Sequence, residues 1–329
     1  KKKHVIAANE GNAIAIASGY YLAKKKIPCV YMQNSGLGNA INPLASLTHS
    51  NVYSIPMLLL IGWRGSPNQN DEPQHKTKGI ITQEILKLLK IKNCVINSKK
   101  DLKKLNKLLK HSISKKEPVA CLIKNKTILS DKNYNLTSFN NGLKRHEIIK
   151  KFLKIIPNKT NIVATTGYTS RELYQIRKSN NLFTGKDFYM VGAMGHASNL
   201  ALGFSLFSKK TVICLDGDGS ILMHLGSLGT NAFFGGKNFK HILFNNNSHE
   251  SVGGQKTVSG NINFKNLTRS LGYKKYLFCN KNNNITKTII KFLKLKGPVF
   301  LEFKIQNQSL KNLSRPKKLK KIKNNFISK

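Results

Sequence analysis

Short runs of apolar, mostly β-branched residues recur along this chain and alternate with segments in which apolar residues repeat at helical spacing. Such alternation is typical of α/β proteins, in which helices join consecutive parallel strands and cover the sheet. We therefore predict an α/β fold of parallel sheets wrapped by helices. The predicted strands are 28–32, 56–61, 119–123, 162–165, 188–191, 212–215, 241–244 and 299–303. The predicted helices are 12–23, 101–114, 146–155, 198–207 and 286–295.

One polar stretch, residues 124–145, interrupts this alternation and is rich in Lys, Asn, Ser and Thr. Polar segments of this kind connect domains. We predict a first domain over 1–123 and a second over 146–305. Residues 306–329 are basic and of low complexity, so we predict a mobile tail there.

The chain carries 56 Lys and Arg against 14 Asp and Glu, a formal net charge of +42. An excess of this size can indicate a nucleic-acid-binding protein, which is one alternative function. The lysines, however, crowd into 87–116, 281–296 and 304–329, without interleaved aromatic residues or a nucleic-acid motif. We interpret them as a compositional bias of surface positions and expect no nucleic-acid partner.

The apolar runs and the cysteines limit where the protein works. No run approaches the roughly 18 apolar residues of a membrane span, so we expect no membrane partner. The five cysteines form no CxxC pair. Free thiols of this kind are the rule in a reducing cytosol, and we expect a cytoplasmic protein.

Two polar motifs follow predicted strands of the second half. Strand 212–215 runs into DGDGS at 216–220, and strand 241–244 runs into NNN at 245–247. Parallel α/β sheets bind ligands beyond the carboxyl ends of their strands. The pairing of GDG with a downstream Asn pair at this spacing is similar to the signature of thiamine-diphosphate enzymes.

The residue types in this signature suit a magnesium diphosphate. Mg²⁺ prefers oxygen ligands in octahedral geometry, and Asp218 offers a carboxylate while Asn246 offers an amide oxygen. Gly217 and Gly219 let backbone N–H groups approach phosphate oxygens closely. We therefore predict a Mg²⁺ site held by Asp218 and Asn246.

Glu10 is the candidate for a second chemical element, a carboxylate that shares a proton with the cofactor's aminopyrimidine ring. It lies among Ala and Ile residues where the apolar segment 4–7, predicted as a strand, meets the helix 12–23. A glutamate there is an unusual surface residue, and burial would favour proton sharing. The alternative is a glutamate favoured by the dipole at a helix N-terminus.

The chain also resembles the phosphonopyruvate decarboxylase family of thiamine-diphosphate enzymes over nearly its whole length. The segments that carry the resemblance are NEGNAIAIASGYYLA (9–23), VYMQNSGLGNAINPL (30–44), IPMLLLIGWRG (55–65), DEPQH (71–75), ATTGYTSREL (164–173), VGAMGHASNLALG (191–203), GDGSILMHLGSLGT (217–230) and NNNSHESVGGQKT (245–257).

The resemblance implies roles for further residues. The first domain would bind the pyrimidine and the second the diphosphate, both domains being of the thiamine-diphosphate-binding type. Met194 would support the bent cofactor, and the Gly192 carbonyl would accept from its amino group. The Ser248 carbonyl would be the third protein ligand of Mg²⁺. The implied diphosphate contacts are Thr166, Gly167, Thr169, Ser170, Gly219 and Ser220.

Substrate residues follow from the charge of a small anionic 2-oxo acid. Arg64 stands alone among 27–75 as a basic residue, follows a predicted strand, and offers a planar fork to phosphonate oxygens. Asn34 and Ser35 could donate hydrogen bonds, and Lys256 follows a flexible Gly pair. His249 and Glu250, just beyond the metal loop, are the candidate catalytic proton donors.

The resemblance implies decarboxylation of 3-phosphonopyruvate to phosphonoacetaldehyde and CO₂ in phosphonate biosynthesis, by a homodimer or larger oligomer. Sulfopyruvate decarboxylase is an alternative with the same chemistry on another tetrahedral anion. Asn247 and Ser248 depart from the family's Gly-Ala, but Asn tolerates a left-handed backbone, so we expect the metal loop to be kept. We also expect an upstream βα unit of roughly 30–45 residues, without which the first domain would be incomplete and the enzyme poorly soluble or inactive.

Overall fold

The computed structural model describes residues 4–69, 71–128, 142–158, 160–179 and 185–328. The chain divides into two compact units, Lys1–Tyr134 and Asn135–Lys329. The division lies within the predicted linker 124–145, of which residues 129–141 are outside the described residues. Among the described helices, none is long and apolar enough to cross a membrane.

The described part of the first unit contains a parallel four-stranded sheet in the order β1-β2-β4-β3. Its strands are β1 (Cys29–Gln33), β2 (Met57–Gly62), β3 (Lys92–Ile96) and β4 (Pro118–Ile123). Its helices are α1 (Glu10–Lys24), α2 (Leu37–Pro43), α3 (Pro73–Leu88) and α4 (Leu102–Lys115). Alternate side chains of β2 enter separate apolar clusters, since Leu59 packs with Ile14 of α1 and Leu58 with Leu108 of α4.

The described part of the second unit contains a parallel six-stranded sheet in the order β6-β5-β7-β8-β10-β9. Its strands are β5 (Asn161–Ala164), β6 (Lys186–Tyr189), β7 (Val212–Gly217), β8 (Phe239–Asn245), β9 (Lys275–Cys279) and β10 (Val299–Lys304). Its helices are α5 (Arg145–Ile155), α6 (Tyr168–Ser179), α7 (Ala197–Leu206), α8 (Asp218–Met223), α9 (Ser227–Phe234), α10 (Phe264–Ser270), α11 (Ile285–Lys294) and α12 (Leu319–Ile327).

The structure confirms the α/β architecture and the predicted strands and helices named above, with small shifts at their ends. The sequence did not predict β3 and β9, which are edge strands whose partly exposed residues lack the long apolar runs of central strands. The predicted strand over residues 4–7 is wrong. These residues are mostly exposed. They form no strand, because none of the described strands pairs with them.

The final segment of the predicted tail forms a helix that packs on the second unit. Helix α12 lies on β6, and Phe326 is 4% exposed. Its ring packs against those of Phe188 and Phe204. The Phe326 ring, together with hydrogen bonds such as that from Asn325 Nδ2 to the Gly185 carbonyl, holds this helix against the core.

Candidate active site

The turn between β7 and α8 places Asp218 at the end of a buried strand. Strand β7 lies between β5 and β8, and Gly217 is paired with Phe244 of β8. Because the strands are parallel, the Asp218 turn and the Asn246 loop emerge at the same edge of the sheet. The structure thus brings together the two motifs that the sequence placed far apart.

Asp218 is 2% exposed and accepts hydrogen bonds from two hydroxyl groups. The Thr257 Oγ1 donates at 2.5 Å and the Ser259 Oγ at 2.8 Å, both to Oδ2. Among the described residues, no Lys, Arg or His forms an ion pair with this carboxylate. Burial raises the pKa of the Asp218 carboxyl, and the two hydroxyl bonds counter part of that rise.

The loop after β8 presents further oxygen atoms. Asn246 is 4% exposed, and its Oδ1 accepts from the backbone N–H of Ser248 at 3.1 Å. Asn247 adopts a left-handed backbone with φ 58°, the conformation that the sequence analysis expected at this departure from the family. Backbone bonds from Thr257 to Asn247 and from His249 to Gln255 then fold residues 247–257 back on themselves.

These atoms fit a Mg²⁺ ion with a diphosphate. A buried carboxylate that forms no ion pair among the described residues, an amide oxygen and a neighbouring carbonyl are the hard oxygen ligands that this ion requires. Space is present as well, because a Cβ built on Gly217 would meet nothing within 4 Å. A Cβ on Gly219 would lie 2.4 Å from His249 Nδ1, so only glycine fits there.

Met194 and His249 meet at Gly219. The Met194 Cε lies 3.3 Å from a Cβ built on that glycine. Met194 is held between left-handed residues, Ala193 with φ 50° and Gly195 with φ 93°, so the loop 192–195 is tightly bent. Gly192, the predicted carbonyl acceptor, belongs to the same bend.

The hydroxyl groups of Ser220 and Ser170 form hydrogen bonds to neighbouring loops at the ends of the strands. The Ser220 Oγ lies 2.9 Å from the Thr165 Oγ1 and accepts from the Gly195 N–H at 3.1 Å. The Ser170 Oγ donates to the Met190 carbonyl at 3.2 Å. Their hydroxyls therefore connect the ends of β5, β6 and β7, and any phosphate contact from them would come from backbone N–H groups.

Gly167 begins the turn that leads into α6. It has φ +90°, and a Cβ there would lie 2.6 Å from the Ser251 Oγ. The turn thus approaches the loop after β8 closely. Thr169 is 4% exposed within the first turn of α6, and Thr166 precedes Gly167. The predicted diphosphate residues share one sheet edge with the candidate metal ligands.

In the first unit, Glu10 opens α1 beside the turn after β1. Its Oε2 accepts from Asn39 Nδ2 at 2.8 Å. A Cβ on Gly36 would lie 1.9 Å from its Oε1, so the glycine makes room for the carboxylate. Glu10 is half-buried and has a defined orientation, although less enclosed than the sequence predicted.

Arg64 does not present the free cation that the sequence analysis expected. Its Nε and Nη2 donate to the two oxygens of Asp71, at 2.7 and 2.5 Å. Asp71 also accepts from the backbone of Gly65 and Glu72. The guanidinium holds the pKa of the Asp71 carboxyl well below its usual range. A pair this complete has little remaining charge for a substrate anion.

Asn34 is likewise committed to backbone contacts. Its side-chain oxygen accepts from Arg64 N at 3.0 Å, and its Nδ2 donates to the Arg64 carbonyl at 2.9 Å and Thr82 Oγ1 at 3.0 Å. The residue is 4% exposed. Its hydrogen-bonding groups fasten the end of β1 to the loop after β2, so the predicted hydrogen bond to substrate would require these contacts to break.

Ser35 lies beside Lys78, a cation that was not among the predicted substrate residues. The Lys78 Nζ donates to the Ser35 carbonyl at 3.1 Å, and the Ser35 Oγ donates to Gln33 Oε1 at 2.6 Å. Lys78 is half-buried, and no ion pair with a described carboxylate involves it. In the sequence it was one lysine among many, so only its contact distinguishes it.

Glu250 is held by a buried arginine. The Nη1 and Nη2 of Arg145 each lie 3.3 Å from its Oε2, and the Arg145 Nε donates to Glu172 Oε2 at 2.8 Å. Burial raises the pKa of the Glu250 carboxyl, and Arg145 opposes that rise. Lys256 is exposed on the same loop. The role of Arg145 could not be predicted from the sequence, because its contact with Glu250 spans 105 positions.

Comparison with known proteins identifies both halves. The model of the thiamine pyrophosphate enzyme N-terminal TPP binding domain matches residues 1–88, and that of the C-terminal TPP binding domain matches residues 164–303. A phosphonopyruvate decarboxylase of Streptomyces viridochromogenes is 32% identical over 96% of this chain and 82% of its own length.

Two sulfopyruvate decarboxylases are also similar. That of Methanosarcina acetivorans is 29% identical over 76% of this chain and 68% of its own length. The beta subunit of the Methanocaldococcus jannaschii protein is 40% identical, but over 39% of this chain and 66% of its own length. The similarity to a protein named for phosphonopyruvate thus covers more of the chain than either similarity to a protein named for sulfopyruvate.

Proposed function

Because the chain belongs to the phosphonopyruvate decarboxylase family of thiamine pyrophosphate enzymes, we propose that it decarboxylates 3-phosphonopyruvate to phosphonoacetaldehyde and CO₂. The observation that carries this proposal is the buried Asp218 carboxylate, which accepts hydrogen bonds from two hydroxyl groups and forms no ion pair among the described residues. Similarity across 96% of this chain supports the choice of substrate.

Asp218, the Asn246 amide oxygen and the Ser248 carbonyl would hold Mg²⁺ on the cofactor diphosphate. Backbone N–H groups of the turns at Gly167 and Gly219 would face its phosphate oxygens. Met194 and Gly192 would hold the cofactor's shape from the bend beside Gly219. When bound, thiamine diphosphate supplies the nucleophilic carbon and the electron sink for loss of CO₂.

Glu10 would share a proton with the N1′ atom of the cofactor's aminopyrimidine. Its orientation supports this role, since Asn39 fixes one carboxylate oxygen and Gly36 leaves space at the other. His249 would deliver a proton to the carbon that loses CO₂. Its position against Gly219 and Met194 supports that assignment.

We assign the substrate's anionic group to Lys78 and the Ser35 turn in place of Arg64. Arg64 is neutralised by Asp71, whereas Lys78 contacts the turn whose Gly36 lies against Glu10. The Lys78 backbone carbonyl accepts from the Thr82 hydroxyl at 2.5 Å, and its ammonium group donates to the Ser35 carbonyl. Lys256 is a second, exposed cation on the loop after β8.

The second candidate is sulfopyruvate decarboxylase, which the similarity to the Methanosarcina acetivorans protein favours. Steady-state kcat/KM for phosphonopyruvate and for sulfopyruvate decides between the two substrates. We expect a higher value for phosphonopyruvate, and a higher value for sulfopyruvate would overturn the substrate assignment. We also propose that the enzyme works in the cytoplasm as a homodimer or larger oligomer, which equilibrium sedimentation would test.

A further inference from the structure

The side-chain amide of Asn246 has one chemically permitted orientation in this structure. Its Nδ2 donates to Glu250 Oε2 at 3.1 Å, and its Oδ1 accepts from Ser248 N–H at 3.1 Å. An ionised carboxylate only accepts hydrogen bonds, so the amino group must face Glu250. The amide oxygen then faces away and has a lone pair left for a metal ion.

The reversed amide would be unsuitable in two ways. Its oxygen would lie against the Glu250 carboxylate, where two acceptors repel each other. Its amino group would point to the metal position, and an amide NH₂ has no lone pair to offer Mg²⁺. The carboxylate of Glu250 thus determines whether Asn246 can be a ligand.

Glu250 is itself fixed by buried residues from two helices. Arg145 opens α5 and is 5% exposed, and Glu172 of α6 is fully buried. Glu172 is held in turn, because its Oε1 accepts from the Leu310 N–H at 2.9 Å. The guanidinium therefore lies between two carboxylates, one anchored in the core and the other reaching the metal loop.

We infer that Glu250, Arg145 and Glu172 are positioning residues that orient the Asn246 amide for Mg²⁺, and that Glu250 is not a proton donor. The inference rests on the proposed function, because it assumes that Asn246 binds the metal. It replaces the catalytic role that the sequence predicted for Glu250. A partner that orients a metal ligand typically contributes about 10- to 100-fold in metal affinity.

Two substitutions of Glu250 separate positioning from proton transfer. Glu250→Gln keeps an oxygen acceptor for Asn246 but cannot donate as an acid, whereas Glu250→Ala removes the acceptor. The measurements are Mn²⁺ and Mg²⁺ affinity by isothermal titration with thiamine diphosphate present, and kcat at saturating metal. Glu147→Ala is the matched control, since Glu147 lies on the exposed side of α5 and pairs with Lys144.

For Glu250→Ala we expect roughly 10- to 100-fold weaker metal binding, with turnover restored by excess Mg²⁺. Glu250→Gln should retain kcat and most of the metal affinity. Loss of kcat by about 10²–10⁴-fold in Glu250→Gln, with unchanged metal affinity, would identify a proton donor and overturn the inference.

The wild-type protein distinguishes failure of this inference from failure of the proposed function. Wild-type protein that binds no metal with thiamine diphosphate would overturn both. Wild-type binding with unchanged affinity in Glu250→Ala would overturn the positioning role alone. Arg145→Lys, which keeps the charge but loses the fork, should weaken metal binding less than Glu250→Ala does, and thermal unfolding would verify its fold.

Discussion

Asp71 and Asp218 both lie beyond the carboxyl ends of parallel strands, β2 and β7, yet their electrostatic surroundings are opposite. Asp71 receives two bonds from the Arg64 guanidinium and two more from backbone N–H groups. Asp218 is more deeply buried and accepts hydrogen bonds from the hydroxyl groups of Thr257 and Ser259. Two hydroxyl groups do not neutralise a buried charge.

The difference supports a structural role for the Asp71 loop and the proposed metal-binding role for Asp218. A carboxylate that already has its cation stabilises the loop and needs no ligand. A buried carboxylate that forms no ion pair is costly, and a bound cation would offset that cost, which is the role proposed for Mg²⁺ at Asp218. The absence of an ion pair among the described residues, more than residue type, therefore supports Asp218 over Asp71 as the proposed metal ligand.

The largest expected effect comes from removing the Asp218 charge, which forms no ion pair among the described residues. Asp218→Asn should abolish Mg²⁺-dependent binding of thiamine diphosphate, because the amide lacks the negative charge that holds the ion. Asp71→Asn should leave that binding intact. Isothermal titration of both variants checks the comparison, and equal losses in the two would remove the distinction between these aspartates.

Glu10→Gln should reduce kcat by about 10²–10⁴-fold while the cofactor still binds, because an amide cannot share the N1′ proton. Glu84→Gln, on the exposed side of α3, is the control for a change of charge in the same unit. Turnover equal to that of the control would rule out the role given to Glu10.

A smaller effect is expected at the cation beside the Glu10 turn. Lys78→Met should raise KM for phosphonopyruvate roughly 10- to 100-fold, the equivalent of one charged hydrogen bond of about 1.5–3 kcal/mol. Cofactor affinity should stay unchanged. Lys76→Met changes an exposed lysine on the same helix and should leave KM as it is. Unaltered KM in Lys78→Met would transfer the anion site to Lys256.

The smallest effect is expected at the ion pair between Arg64 and Asp71. The pKa of Asp71 is lowered in the folded protein, so the carboxylate binds fewer protons folded than unfolded. Its stabilisation is therefore present above the unfolded pKa of about 4 and lost as pH falls toward the folded value. A partly exposed pair contributes about 1 kcal/mol or less.

Unfolding free energies measured by urea between neutral and acidic pH should therefore converge for wild type and Asp71→Asn as the pH falls. A gap between them that persists or widens in acid would contradict the lowered pKa.

The sequence predicted the central strands and the metal motif because both are local patterns. Strands with continuous apolar residues and a GDG turn can be recognised within a few positions. The pairing of Arg64 with Asp71, seven positions away, was not predicted, because only the isolation of Arg64 from other cations was considered.

Other parts of the site depend on contacts that no local pattern encodes. Ser259 lies 41 positions from Asp218, and Arg145 lies 105 positions from Glu250. Whether a charged residue is neutralised depends on such contacts. The sequence therefore indicated which residues could act, and the structure was needed to separate available groups from those already paired.

The measurement that tests the account most directly is product formation from 3-phosphonopyruvate by the full-length protein with thiamine diphosphate and Mg²⁺. We predict phosphonoacetaldehyde and CO₂ in equal amounts, lost on removal of either cofactor or in Asp218→Asn, and retained in Asp71→Asn. Wild-type protein that binds both cofactors yet releases no CO₂ from phosphonopyruvate, or an Asp218→Asn variant that remains active, would contradict it.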